Sequence, residues 1–260
     1  MLEWLGRAWR VLGTGIAFTS FGLACLLLGL LYFPLLSLLV RQPARRERLA
    51  RLAVQRGFGL FVEWMRLLGL LRYRILGAER LQRKGLLVLA NHPTLIDVIF
   101  LISRIADADC VAKAGLARNP FTRLPLKATG YICNDSGPGV VEDCIRSIHA
   151  GHNLVIFPEG TRTSENGEMK LQRGAANVAV RGGCNITPVT IRCEPLFLTK
   201  GRPWWRVPLR APLLTIEVGE DIIVQPFMDQ AGQIPSLAAR RLTKYLHQYF
   251  LKETQAHAGA

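Results

Sequence analysis

From Val11 to Val40 the chain runs for thirty residues without a charge. An apolar stretch of about 18 residues is already long enough to cross a bilayer. A core helix of that length does not suit a domain of this size, and the apolar region of a cleavable signal peptide is only about 7–15 residues long. The segment therefore reads as a membrane anchor. It is too short for two full spans, which leaves one long tilted helix or a helical hairpin dipping into one leaflet. Gly29 and Pro34 offer a break for either arrangement.

Directly after it come Arg41, Arg45, Arg46, Arg48, Arg51 and Arg56 against a single Glu47. Positive charge beside a membrane segment favours the cytoplasmic side and attracts anionic headgroups. The whole chain carries a formal charge of +14, which draws in anionic partners. Because the arginines crowd beside the anchor, membrane lipid fits better than nucleic acid, and no nucleic-acid partner is expected. The expected location is the inner (cytoplasmic) membrane with the remaining domain in the cytoplasm. The six cysteines include no Cys-x-x-Cys pair, so neither a disulfide framework nor a zinc site is expected.

This divides the chain into an anchor with its basic collar, 1–56, and a domain, 57–260. Within the latter, 57–75 looks amphipathic, with Phe58, Phe61, Met65 and Leu68 at helical spacing. It reads as an interfacial helix or as one packed on the domain. From residue 84 onward short apolar runs alternate with helical patterns. Strands are expected at 86–90, 110–112, 131–133, 154–157, 186–191 and 213–218. Helices are expected at 95–104, 121–128, 140–150, 174–181 and 237–251. Such alternation predicts an α/β domain built on a central sheet.

Two polar constellations leave two of these strands. Asn91-His92-Pro93-Thr94-Leu95-Ile96-Asp97 follows the run Leu86–Ala90. Proline suits a first helical turn, which would put Asp97 in the second turn. On a straight helix five residues sweep about 500°, so His92 and Asp97 would not share a face. They meet only if His92 sits in the bend before the helix. Asp97 would then hold one imidazole nitrogen and leave the other free as a base. The arrangement is a serine-hydrolase relay without its serine; the hydroxyl would belong to the substrate. The alternative is a helix-entry histidine and a surface aspartate.

The second constellation, Phe157-Pro158-Glu159-Gly160-Thr161-Arg162, turns away from the run 154–157. Glu159 and Arg162 could pair with each other. In the functional reading Arg162 is a fork for phosphate oxygens, Gly160 lets backbone approach a ligand, and Thr161 adds a hydroxyl donor.

These two motifs, in this order and about sixty residues apart, resemble the glycerolipid acyltransferases, and among them the 1-acylglycerol-3-phosphate (lysophosphatidic acid) acyltransferase family. The likeness runs from about Gly85 to Ile191 and takes in Val111-Ala112-Lys113, Gly130-Tyr131-Ile132, Arg173-Gly174-Ala175 and Ile186-Thr187-Pro188-Val189. It implies a mixed central sheet flanked by helices, with an N-terminal membrane-anchoring helical segment. It implies a membrane enzyme of phospholipid biosynthesis, with His92 as general base and Asp97 as its orienting acid. The base would deprotonate the free hydroxyl of a lysolipid acceptor, which attacks the thioester of acyl-CoA or acyl carrier protein. Glu159, Gly160, Thr161 and Arg162 would bind the acceptor, Arg162 on its phosphate, and Lys113 would be a second phosphate contact. No metal and no cofactor beyond the acyl donor is implied.

Two departures bear on the acceptor. Ser136 stands where the family's second block usually carries an arginine, and Lys113 is followed by Ala114-Gly115-Leu116 where an acidic residue is common. One charge-assisted contact fewer costs about 1.5–3 kcal/mol. The acceptor is thus 1-acylglycerol-3-phosphate or another lysolipid or hydroxyl-bearing lipid precursor. A lipid hydrolase is a competing reading, weakened by the absence of a Gly-x-Ser-x-Gly elbow; a non-catalytic lipid-binding protein is another. Finally, Lys200, Arg202, Trp204, Trp205, Arg206 and Arg210 form a basic, aromatic loop, either an ordinary surface loop or a patch that dips into headgroups. His149 and His152 read as helix-end and loop residues.

Overall fold

A computed structural model describes residues 2–134, 139–164 and 167–255. The expected Ser136 position lies outside the described residues. The uncharged segment is helical throughout: α1 (Leu2–Leu27) runs through a π-helical turn (Leu28–Tyr32) into α2 (Phe33–Leu39). The break expected near Gly29 and Pro34 is thus a local widening of one helix, without a hairpin. Proline removes an amide donor from the ladder, and the π turn absorbs the mismatch just upstream.

The basic collar is itself helical. α3 (Pro43–Leu67) starts on a proline in its first turn and ends before β1 (Arg72–Leu76). The interfacial helix expected over 57–75 is therefore corrected at both ends. Its first half belongs to α3 and its last residues to an edge strand. β1 alternates exposed and half-buried residues, and Tyr73 turns inward onto Phe100 with ring centroids 5.3 Å apart. One arginine of the collar, Arg51, is buried. Its Nε donates to Thr129 O at 2.9 Å, and its guanidinium lies 3.4 Å from Asp107 and 3.5 Å from Asp109. This ties α3 to the domain and not to solvent or headgroups.

Then follow β2 (Leu87–Ala90), α4 (Asp97–Arg104), β3 (Ala108–Ala112), α5 (Ala114–Arg118), α6 (Arg123–Thr129), β4 (Ile132–Cys133) and α7 (Val140–His149). The chain continues through β5 (Asn153–Ile156), α8 (Arg173–Gly182), β6 (Ile186–Glu194), β7 (Leu213–Val218), α9 (Gln225–Gln230) and α10 (Pro235–Gln255). Among the described residues the strands form one sheet in the order β1-β7-β6-β2-β5-β3-β4. All neighbours are parallel except β6 and β7, which are antiparallel. The mixed central sheet is as expected.

The sheet separates two apolar layers because successive strand side chains point to opposite faces. Val88 and Ala90 face a core shared with α1, α3 and α4, whereas Leu87 and Leu89 face one built by α7, α8 and α10. Residues of the uncharged segment, Ala17, Phe33 and Leu36, belong to the first core. One stripe of the uncharged helix is therefore packed on the domain. Phe21 meets Phe61 at 4.7 Å between centroids, and the Trp9 indole N–H donates to Leu68 O at 2.8 Å. The opposite stripe, including Leu12, Leu23, Leu27, Leu31, Leu35 and Leu38, is exposed.

Candidate active site

β2 and β5 are parallel neighbours, so the polar turns that leave them lie side by side at the carboxyl edge of the sheet. That edge is where α/β folds build their sites. α4 begins at Asp97 itself. Pro93 thus precedes the helix, Asp97 is in its first turn, and His92 lies in the bend, as the pairing required. His92 Nδ1 is 2.8 Å from Asp97 Oδ2. A carboxylate accepts, so Nδ1 carries the proton and Nε2 is the nitrogen available to a substrate.

Asp97 is wholly buried. Its carboxylate also accepts from the Thr94 amide at 2.7 Å and from the Thr94 hydroxyl. Burial pushes its pKa above the ordinary carboxylate range, opposed by the bonds from His92 and Thr94. The ring of His92 is stacked on Phe157, with centroids 4.2 Å apart and planes 28° from parallel. The imidazole is thus fixed from its Nδ1 edge and from one face.

The second turn is joined to the first through backbone. The Glu159 carboxylate accepts from the His92 amide at 2.9 Å and from the Thr163 hydroxyl at 2.9 Å. The Thr163 amide donates in return to His92 O at 2.7 Å. Glu159 is buried, and burial raises its pKa against these two donors. It does not pair with Arg162. Arg162 Nη1 instead donates to Leu198 O and Thr199 O, both at 3.0 Å, in the segment after β6. The Leu95 amide donates to the same Leu198 carbonyl at 3.1 Å. Gly160 has φ of 66°, the left-handed region that favours glycine. Asn91 bridges β2 to β6, giving its amide to Ile191 O at 2.8 Å and accepting from Ile191 N at 2.7 Å.

The structure thus gathers His92, Asp97, Glu159 and Arg162 around two adjoining turns. Lys113 stands at the N-cap position of α5, after β3, without a side-chain capping bond, and is exposed. Sequence reasoning did not assign parts to Thr94, Phe157, Thr163 or the Leu198–Thr199 segment. Thr94 could have been found, since a threonine three residues before an aspartate is a known local pairing. Phe157 was legible only as a strand end. Leu198 and Thr199 carried no signal, because backbone carbonyls, and not side chains, do the work.

A family model described as "Acyltransferase" matches residues 72–192. Among curated proteins, a 1-acyl-sn-glycerol-3-phosphate acyltransferase of Pseudomonas aeruginosa is 26% identical over 189 residues, 69% of this chain and 68% of that protein. Those of Borreliella burgdorferi and Saccharomyces cerevisiae are 27% and 30% identical over 48% and 50% of this chain. The match spans about half the length of these two relatives, 53% and 46%. The fold matches the crystal structure of the 1-acyl-sn-glycerophosphate acyltransferase PlsC of Thermotoga maritima with a TM-score of 0.72 at 16% identity, over all of both chains. Over residues 72–192 the sequence is thus similar to the acyltransferases, the 1-acyl-sn-glycerol-3-phosphate acyltransferases among them, and over its whole length the chain shares their fold as seen in PlsC.

Proposed function

We propose that this protein transfers a fatty acyl group from an acyl thioester to the free hydroxyl of a lysophospholipid, 1-acylglycerol-3-phosphate first, in phospholipid biosynthesis. The observation that carries the reading is the 2.8 Å bond between His92 Nδ1 and the wholly buried Asp97. His92 Nε2 takes the hydroxyl proton as the oxygen attacks the thioester carbonyl, and the thiolate of coenzyme A or carrier protein leaves with a proton returned by the imidazolium. Asp97 fixes the tautomer and balances the charge on the ring. Glu159 serves the reaction through the His92 amide it holds. Gly160, Thr161, Arg162 and Lys113 are assigned to the acceptor in this reading, the two cations as its phosphate contacts. No metal or cofactor enters this scheme.

The membrane reading is supported by the helix Glu3–Leu39, long and apolar enough to cross a bilayer by length and composition. Its packed stripe extends from Val11 to Leu36, about 38 Å at 1.5 Å per residue. A spanning orientation would carry the attached domain into hydrocarbon. In this reading the helix lies in one leaflet of the inner membrane, leucine stripe inward, with the domain on the cytoplasmic side.

The test incubates labelled acyl-CoA or acyl carrier protein with vesicles, with and without a panel of lysolipids, for wild type and His92→Ala. Acyl transfer that prefers 1-acylglycerol-3-phosphate and is lost in the variant is the expected result. Comparing the two donors assigns the thiol. Release of free fatty acid without transfer would establish hydrolysis instead, and preference for another lysolipid would replace the acceptor.

A further inference from the structure

The basic, aromatic segment after β6 is not used by this mechanism. From Pro195 to Ile216 the chain has no acidic residue, and it carries Lys200, Arg202, Arg206 and Arg210. Every residue from Lys200 to Arg206 is exposed, whereas Val207 is buried and pins the segment down. Trp204 and Trp205 stand edge to face with centroids 5.6 Å apart, and 41% and 55% of their surfaces are open. Two adjacent open indoles expose much apolar surface, and tryptophan with arginine is the pairing that settles at headgroup level.

The segment is continuous with the exposed side of α1. The Trp204 ring lies against Gly15, where a Cβ would come within 3.3 Å of it. The Arg10 guanidinium donates to Pro208 O at 3.3 Å and to Leu209 O. Trp9, Leu12 and Ile16 of the same end of α1 are exposed, as is Leu209. At its base the segment reaches the active site. Leu198 has φ of 54°, a conformation that non-glycine residues rarely hold, and its carbonyl accepts from both Arg162 and Leu95.

We propose that Lys200–Arg210 is a second membrane-contact element, seated on anionic lipid headgroups, which ties the Arg162 side of the active site to the bilayer surface. The helix supplies attachment; this segment sets the height and tilt at which the Arg162 turn meets a lipid acceptor. The contact itself stands on the geometry above, and its link to catalysis rests on the acyltransferase reading. Positive charge alone would also suit an acidic protein. The indole pair and its continuity with the leucine stripe favour the lipid surface.

The test uses the full chain in vesicles of phosphatidylcholine, with or without phosphatidylglycerol, containing lipids brominated near the headgroup. Subtracting the emission of Trp205→Phe from that of wild type isolates Trp205. We expect this difference emission to be blue-shifted and largely quenched in anionic vesicles, and the quenching to be lost in Lys200→Glu/Arg206→Glu. Red, unquenched emission in all vesicles would overturn the contact. Equal quenching with and without phosphatidylglycerol would overturn the headgroup-charge component. A response to soluble acidic carrier protein with none to brominated lipid would assign the surface to a protein instead. For catalysis, Trp205→Ser should raise the apparent KM for a vesicle-embedded acceptor and leave turnover of a short-chain, monodisperse acceptor unchanged; equal effects on both, or none, would overturn the link. An inactive wild type would sink the acyltransferase reading and leave the fluorescence result standing.

Discussion

Asp97 combines zero exposure with donors from His92 and from both the amide and hydroxyl of Thr94. A buried carboxylate persists only when so satisfied. Asp97→Asn would keep the shape and offer the wrong tautomer to the imidazole. Single-turnover assays should show the acyl-transfer rate reduced by about 10²–10⁴-fold, with thermal melting little changed. Glu159 gives a different signature. Burial raises its carboxyl above the ordinary range, so the ionised form is disfavoured in the fold. Its cost is fully present above the folded value and disappears as pH falls below the unfolded value of about 4.3. Glu159→Gln keeps an acceptor for the His92 amide, so it should be more stable than wild type near neutral pH in urea melts. That advantage should vanish toward acid pH. An advantage that grew on acidification would contradict the sign. His92 and Asp97 stand out in the sequence through the resemblance that the two motifs carry together, since residue type and spacing alone leave a helix-entry histidine and a surface aspartate open. That Glu159 grips a backbone amide could not, since the same carboxylate would look identical on a surface turn.

At the level of elements, the strands that carry the site were readable because each is a short apolar run closed by a polar turn. Leu213–Val218 matches its expected span, and the others differ by a few residues at their ends. β1 was misread because its arginines follow a long helical pattern without an apolar alternation to mark the change, and its pairing partner β7 lies about 140 residues away in sequence. The docking stripe of α1 was hidden for another reason. In a wholly apolar segment the small residues that allow close approach, Gly13 and Ala17, do not stand out from their neighbours. A Cβ at Gly13 would fall 2.7 Å from Leu70 Cδ2, and Leu70 is itself buried. Gly13→Val should therefore lift the helix from the domain and cost about 1–3 kcal/mol, visible as a lower melting temperature in detergent. Leu12→Val, on the exposed stripe, should have little effect.

For the whole molecule, the placement of a long apolar helix along the side of a domain decides topology. If α1 and α2 lie in one leaflet, both ends of the segment face the same compartment. Single cysteines at Glu3 and Gln42 should then be labelled together by a membrane-impermeant thiol reagent in inverted inner-membrane vesicles, and neither in intact cells. The wild type, whose native cysteines are mostly buried, is the background control. Labelling of the two positions from opposite sides would establish a span. The basic residues of α3 read differently in three dimensions than in sequence. Arg45 and Arg48 are exposed, whereas Arg51 serves the fold through Asp107 and Asp109.

His92 gives its amide to the Glu159 side chain and receives the Thr163 amide at its carbonyl. The two turns are therefore coupled through backbone and should behave as a single part. Exchanging one of them with a distant relative would bring a foreign partner to a backbone that has no freedom to adjust. Chimeras that move 91–97 and 157–163 together should tolerate divergence that either half-exchange would not.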